Sequence, residues 1–218
     1  MDLTPTASQT AGPYFHLGCT EKHSVPCIAG PNAEGERVRL ACRVLDGDGV
    51  PVDDAMIEIW QADAEGKYNH PLDRPKKDAQ EDAQENDSQE KHWPGRSADA
   101  TCPGFGRMAT DANGVCVFET IKPGRVPGNG GTLQAPHLNV SVFARGIMKR
   151  LATRIYFAGD PANDECPILA LVPAERRATL MARSTCKSAS GSTDSCDPKL
   201  WRFDVRLCGE DETVFFDV

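Results

Sequence analysis

Residues 37–45 alternate without a break: Val38, Leu40, Cys42 and Val44 fall on one face, Arg37, Arg39 and Arg43 on the other. A period of two with charge on the opposite side predicts a half-buried strand. Asp46-Gly-Asp-Gly49 then supplies a tight turn, because glycine reaches positive φ without steric cost. Met56 to Gln61 reads as the next strand and Ala64-Glu-Gly66 as a turn. Asp111-Ala-Asn-Gly114 ahead of Val115-Cys-Val-Phe118 repeats the turn-strand device. Leu138, Val140 and Val142 alternate again, followed by strands over 153–157, 201–207 and 213–216. Seven or so short strands punctuated by Gly, Asp and Asn predict a mostly β, single-domain β-sandwich. One short helix in the C-terminal half is expected over about 173–183. It opens on Pro173 and closes on Arg183, as the helix dipole favours.

Two stretches stand outside that pattern. Residues 1–36 carry few periodic apolar positions and are broken by Pro5, Pro13, Pro26 and Pro31, so they read as an N-terminal arm that must lie against its own domain (37–218) or another chain. An acidic insertion spans about 71–104. Within it, nine of the seventeen residues from Lys76 to His92 are Lys, Asp or Glu, and none is Val, Ile, Leu or Phe. Such a run buries too little apolar surface to offset chain ordering and is expected to be solvated.

Composition narrows the function classes. The 218 residues carry 24 Lys+Arg against 32 Asp+Glu, a formal net charge of −8, which disfavours binding to nucleic acid. The longest near-apolar run, 166–174, holds two prolines and is too short to span a bilayer. The first ten residues lack the basic and apolar regions of a secretory signal, so the cytoplasm is the expected location. Nine cysteines without a CxxC pair form no zinc pattern and read as free, mostly buried thiols. A Cys186–Cys196 bridge is the alternative.

Candidate chemistry centres on Ala135-Pro-His-Leu-Asn139. On a strand, positions i and i+2 share a face, so His-x-His there would chelate a metal; this chain has His137 and Asn139 instead. A lone histidine reads first as a hydrogen-bonded imidazole at a sheet edge. Some other arrangement of His16, His23 and His137 is the weaker metal reading. No phosphate-binding loop, GxSxG or HExxH occurs. From these residues alone, no site is complete.

Several blocks nevertheless carry a resemblance. Ser8-Gln-Thr-Ala-Gly-Pro-Tyr14, Glu58-Ile-Trp-Gln-Ala-Asp63, Ile121-Lys-Pro-Gly124, Ala135-Pro-His137, Thr153-Arg-Ile-Tyr-Phe157 and Arg202-Phe-Asp204 resemble the intradiol ring-cleavage dioxygenases, in order along the chain. Val142-Phe-Ala-Arg-Gly146 and Gly209 to Phe216 are similar to the alpha chains of the family's two-subunit members. The resemblance implies an intradiol dioxygenase-like β-sandwich and a role in aromatic catabolism. In catalytic chains of the family a ferric ion is held by two tyrosines and two histidines. Those positions fall here on Pro75, Val126, His137 and Asn139, so one ligand of four is retained and this chain is expected to hold no metal. Fe(III) is then expected in a partner beta subunit, in repeated αβ units, with protocatechuate and O₂ as substrates and 3-carboxy-cis,cis-muconate as product. The alpha chain's expected contribution is a pocket wall: Thr10, Gly12, Pro13, Tyr14 and Arg145. A non-enzymatic scaffold or binding subunit, or a catechol-type dioxygenase with a different metal site, are the competing expectations.

Overall fold

The computed structural model describes residues 7–12, 17–70, 101–185 and 198–217. Eight strands form the domain: β1 Arg37–Leu45, β2 Met56–Gln61, β3 Phe105–Ala109, β4 Val115–Ile121, β5 His137–Phe143, β6 Leu151–Phe157, β7 Met181–Ser184 and β8 Lys199–Arg206. Their order is β3-β2-β5-β6-β7-β8-β1-β4. The sheet folds over at β7. This short strand pairs in parallel with β6, through Tyr156 with Met181 and Phe157 with Ala182. It pairs antiparallel with β8, through Arg183 with Arg202 and Ser184 with Trp201.

The two halves face each other across one core. From β1 the alternating residues Val38, Leu40, Cys42 and Val44 are all at most 1% exposed, as the pattern requires. They meet Ile57 and Ile59 of β2, Leu138, Val140 and Val142 of β5, and Phe118 of β4. Phe157 and Trp201 meet edge to face across the fold, centroids 5.0 Å apart, a favoured aromatic geometry. Buried Gln61 ties the halves with polar bonds: its amide donates to the Ile121 carbonyl (3.2 Å) and its oxygen accepts from Thr120 Oγ1 (2.7 Å).

The arm is built into this sheet. Val25 exchanges backbone bonds with Arg107 of β3, while Ile28 N and Glu119 N bond to Glu119 O and Pro26 O across to β4. Residues 25–28 thereby bridge the two end strands, which would otherwise be open edges. Ile28 is fully buried, and Gly106 of β3 makes room for it, since a Cβ there would overlap the Ile28 side chain at 2.5 Å. Arg37 holds the arm from below, its guanidinium donating to the carbonyls of Ala29 and Gly30.

Three turns use one device. Asp46, Asp63 and Asp111 each accept from the backbone N–H groups two and four residues on. In each, the glycine three residues on, such as Gly114 at φ 71°, closes the turn.

Three expectations are corrected. The helix expected over 173–183 is a 3-10 run, Ala174–Leu180, and residues 181–184 are strand β7. Sheet pairing of Met181 and Ala182 with β6 overrides local propensity there. Arg177 donates to the carbonyls of Val172 and Ala170 before the run, not at its end. Among the described residues the one α-helical turn, α1, is Pro167–Ala170. Residues 213–216 form no strand but a single bridge from Phe216 to Ala152. The sheet-edge position expected for His137 is also wrong, because β5 lies between β2 and β6.

Among the described residues, Cys19, Cys27, Cys42, Cys116, Cys166 and Cys208 are free thiols, and Cys42, Cys102, Cys116 and Cys166 are buried. Cys186, Cys196 and the acidic run 76–92 lie outside the described residues. No helix among the described residues is long and apolar enough to cross a membrane.

Candidate functional site

The strand β5 runs between two places of interest. At its start, His137 is 1% exposed and its Nδ1 lies 2.7 Å from the Ala135 carbonyl. A carbonyl only accepts, so Nδ1 carries the proton and Nε2 is left as an acceptor. Tyr68 OH lies 3.3 Å from that Nε2 and accepts from Asn139 Nδ2 at 2.9 Å. The result is one directed chain: the Asn139 amide donates to the Tyr68 hydroxyl, which donates to His137, which donates to the Ala135 carbonyl. His137 and Asn139 can share it because i and i+2 project to one face of the strand.

Tyr68 reaches this position from the Asp63–Gly66 turn, whose Asp63 carbonyl accepts from Gly124 N at 2.8 Å. Its ring stacks on Trp60, with centroids 6.1 Å apart and planes 8° from parallel. Burial and the nearby Arg154 cation push the His137 pKa down to about 4, only partly opposed by the bond to Ala135. The imidazole is therefore neutral at physiological pH. Burial raises the neighbouring Tyr156 phenol to about 12, so it stays protonated.

These residues do not fit a ferric ion. Val126 is 7% exposed and offers only hydrocarbon, and Asn139 offers an amide. Tyr68 would be a possible phenol donor, yet binding metal would require breaking its bond to His137 and ionising it. Among the described residues, no group of three or more His, Cys, Asp and Glu side chains is arranged to hold a metal. His23 is exposed, while Pro75 and His16 lie outside the described residues.

Past the other end of β5, Thr10 Oγ1 accepts from Gly146 N at 2.7 Å. This bond joins the arm to the loop carrying Arg145, two expected site residues brought together. The Arg145 side chain is 70% exposed and pairs with Asp54, with Asp53 at 3.5 Å. Nothing would obstruct a side chain at Gly12. Pro13 and Tyr14 lie outside the described residues. Sequence reasoning assigned no role to Tyr68. The signal available was a buried-type histidine without its partner histidine, since a buried acceptor requires a donor.

Comparison with known proteins supplies the context for both ends. The family model described as Dioxygenase matches residues 10–209. The chain is 40% identical to the protocatechuate 3,4-dioxygenase alpha chain of Burkholderia cepacia, covering 99% of this chain and 98% of that one. To the protocatechuate 3,4-dioxygenase beta chain of the same organism it is 35% identical, covering 88% of this chain and 73% of that one. Among solved structures it resembles an intradiol ring-cleavage dioxygenase from Tetranychus urticae, with a TM-score of 0.58, 19% identity and 94% coverage of both chains. That likeness supports the fold, and the sequence matches carry the assignment: the chain belongs to the intradiol ring-cleavage dioxygenase family.

Proposed function

We propose that this chain is the alpha subunit of a protocatechuate 3,4-dioxygenase and works only with an iron-carrying beta subunit. The carrying observation is the closed hydrogen-bond chain Asn139–Tyr68–His137–Ala135, which uses the imidazole acceptor that a metal would need. The similarity to both an alpha and a beta chain supports a heteromer of two related subunits. Fe(III) belongs to the beta chain in this reading, which also assigns protocatechuate and O₂ as substrates and 3-carboxy-cis,cis-muconate as product. Assembly is in repeated αβ units. The free thiols of Cys19, Cys27, Cys42, Cys116, Cys166 and Cys208 suit a reducing cytoplasm.

The chain's own contribution is a wall of the partner's pocket. Thr10 fixes the arm against the Arg145 loop, Gly12 leaves room for close approach, and Pro13 and Tyr14 extend the wall. Arg145 supplies a permanent cation for a substrate carrying a carboxylate and ionisable catechol oxygens. Its Asp53 partner is solvent-exposed, whereas Asp54 is only 27% exposed. The exposed Asp53 pair contributes only about 0–1 kcal/mol, so the cost of turning the guanidinium to an incoming anion is set by the half-buried Asp54 pair.

The test is iron content and protocatechuate-dependent O₂ uptake for the chain alone and co-expressed with its beta partner. Iron and uptake confined to the co-expressed sample are expected. Iron bound by the lone chain with turnover would overturn the assignment.

A further inference from the structure

The outer face of the β7-β8-β1-β4 half carries charge opposite to that of the chain as a whole. A groove of about 750 Å³ crosses these strands, and Arg39, Arg43, Arg183, Arg202 and Arg206 line it. The placement follows from strand period and register. Arg39 and Arg43 share the outward face of β1, and Arg202, Asp204 and Arg206 share that of β8. Ala41 stands beside Arg202, Arg43 beside Asp204 and Leu45 beside Arg206.

Five cations meet two carboxylates in this groove, Asp204 and Asp211. Asp204 is already engaged, accepting from Arg43 Nε at 3.0 Å and Nη2 at 2.8 Å. Arg39, Arg183, Arg202 and Arg206 make no ion pair among the described residues. Arg183 and Arg202 are both exposed and stand directly opposite each other on β7 and β8. Like charges facing across a ladder oppose sheet formation, so an anion between these two guanidiniums would convert a repulsion into a clasp.

The dimensions limit what that anion is. Arg202 and Arg206 are four residues apart on one strand, roughly 13 Å at strand rise, so a single carboxylate cannot serve both ends. Between the ends lies the mutually paired Arg43–Asp204, flanked by the apolar side chains of Ala41, Val115 and Val117. The carboxylates of Asp204 and Asp211 interrupt the basic strip, which disfavours a continuous acidic polypeptide laid along it. The volume lies within the range of small-molecule sites.

We propose that this groove binds a small organic polycarboxylate, with one acid group clasped by Arg183 and Arg202 and another toward Arg206. The site is separate from β5, and only the choice of complex and the turnover control below rest on the subunit reading above.

Citrate and acetate are the probes, titrated calorimetrically into the assembled complex at low salt and compared at equal carboxylate concentration. Saturable citrate binding with negligible acetate binding is expected. The exposed substitutions Arg183→Gln with Arg202→Gln should weaken it by at least about tenfold, as should Arg206→Gln made separately. Turnover of protocatechuate should be unchanged in these variants. Absence of saturable citrate binding overturns the proposal, as does binding unaltered in both variants. Equal response to acetate reduces the groove to a general anion surface and also overturns it. Variants that alter sedimentation of a complex that never bound citrate would assign the face to a protein contact instead.

Discussion

His137 at the start of β5 and Arg145 just past its end are separated by roughly 20 Å of strand, and they answer the same evolutionary template in opposite ways. The start of the strand is closed: a buried imidazole whose two nitrogens are both engaged, backed by Tyr68 and Asn139. The far end is open: a guanidinium 70% exposed, beside an arm residue held by one backbone bond. A closed polar chain is a structural element, because the Tyr68 hydroxyl and both His137 ring nitrogens are engaged inside the fold. A cation 70% exposed presents its free face to a visitor even while Asp54 holds its Nε. Under the proposed function, the difference between the ends separates what this chain keeps for its own stability from what it would offer to a partner's pocket.

The closed end can be broken by acid. The imidazole titrates near 6.5 when unfolded and at about 4 when folded, so between those values the unfolded chain binds a proton that the folded chain does not. Stability from this group is complete above pH 6.5 and is lost as pH falls toward 4, by up to about 3 kcal/mol. Urea melts across that range should show wild type losing more stability than His137→Gln; parallel curves would mean that the buried imidazole is not the source. Next in size is Tyr68→Phe. It strands the Nε2 acceptor of His137 and the Asn139 donor at an expected cost of about 1–3 kcal/mol. Iron content and turnover of the complex should stay unchanged. A loss of iron in that variant would show the closed end to be a working metal site.

Much of the scaffold for this comparison is legible in the sequence, and the exceptions share a cause. The strands at 37–45 and 56–61 appear with those bounds because each has an unbroken hydrophobic pattern and a glycine-bearing turn after it. β3 escaped because Phe105-Gly-Arg-Met-Ala109 is dictated by the arm packed against it, with Ile28 occupying the space over Gly106. β7 escaped because it exists only by pairing with β6 and β8, two residues to each. Non-local partners hid the site chemistry too. Tyr68 lies 69 positions before the histidine it serves, and Asp53 is 92 positions from Arg145. Strand spacing pointed to His137 and Asn139 and the family resemblance to Arg145, but only the fold shows what each one touches.

At the open end, Arg145→Ala in the assembled complex should reduce kcat/KM for protocatechuate by about tenfold, equivalent to about 1.4 kcal/mol of transition-state stabilisation. Iron content should hold; the side chain is mostly in water and its pair with Asp53 is exposed, so any loss of thermal stability comes from leaving the half-buried Asp54 without its cation. Unchanged kinetics would leave the open end without its assigned role and make the two ends alike, both structural.

The smallest effect belongs to Thr10, and it sharpens the comparison most because it tests placement without touching charge. Its hydroxyl accepts from Gly146 N, the residue after Arg145, so it sets where the arm and the cation lie relative to each other. Thr10→Val keeps the shape and removes the acceptor, a change of about 0.5–1.5 kcal/mol for one hydrogen bond. Thr10→Ser restores the acceptor. If the arm positions Arg145, the valine variant should raise KM several-fold, the serine variant should recover it, and neither should shift kcat. If Thr10 merely anchors the arm for stability, the valine variant should lower the melting temperature of the complex and leave KM where it was.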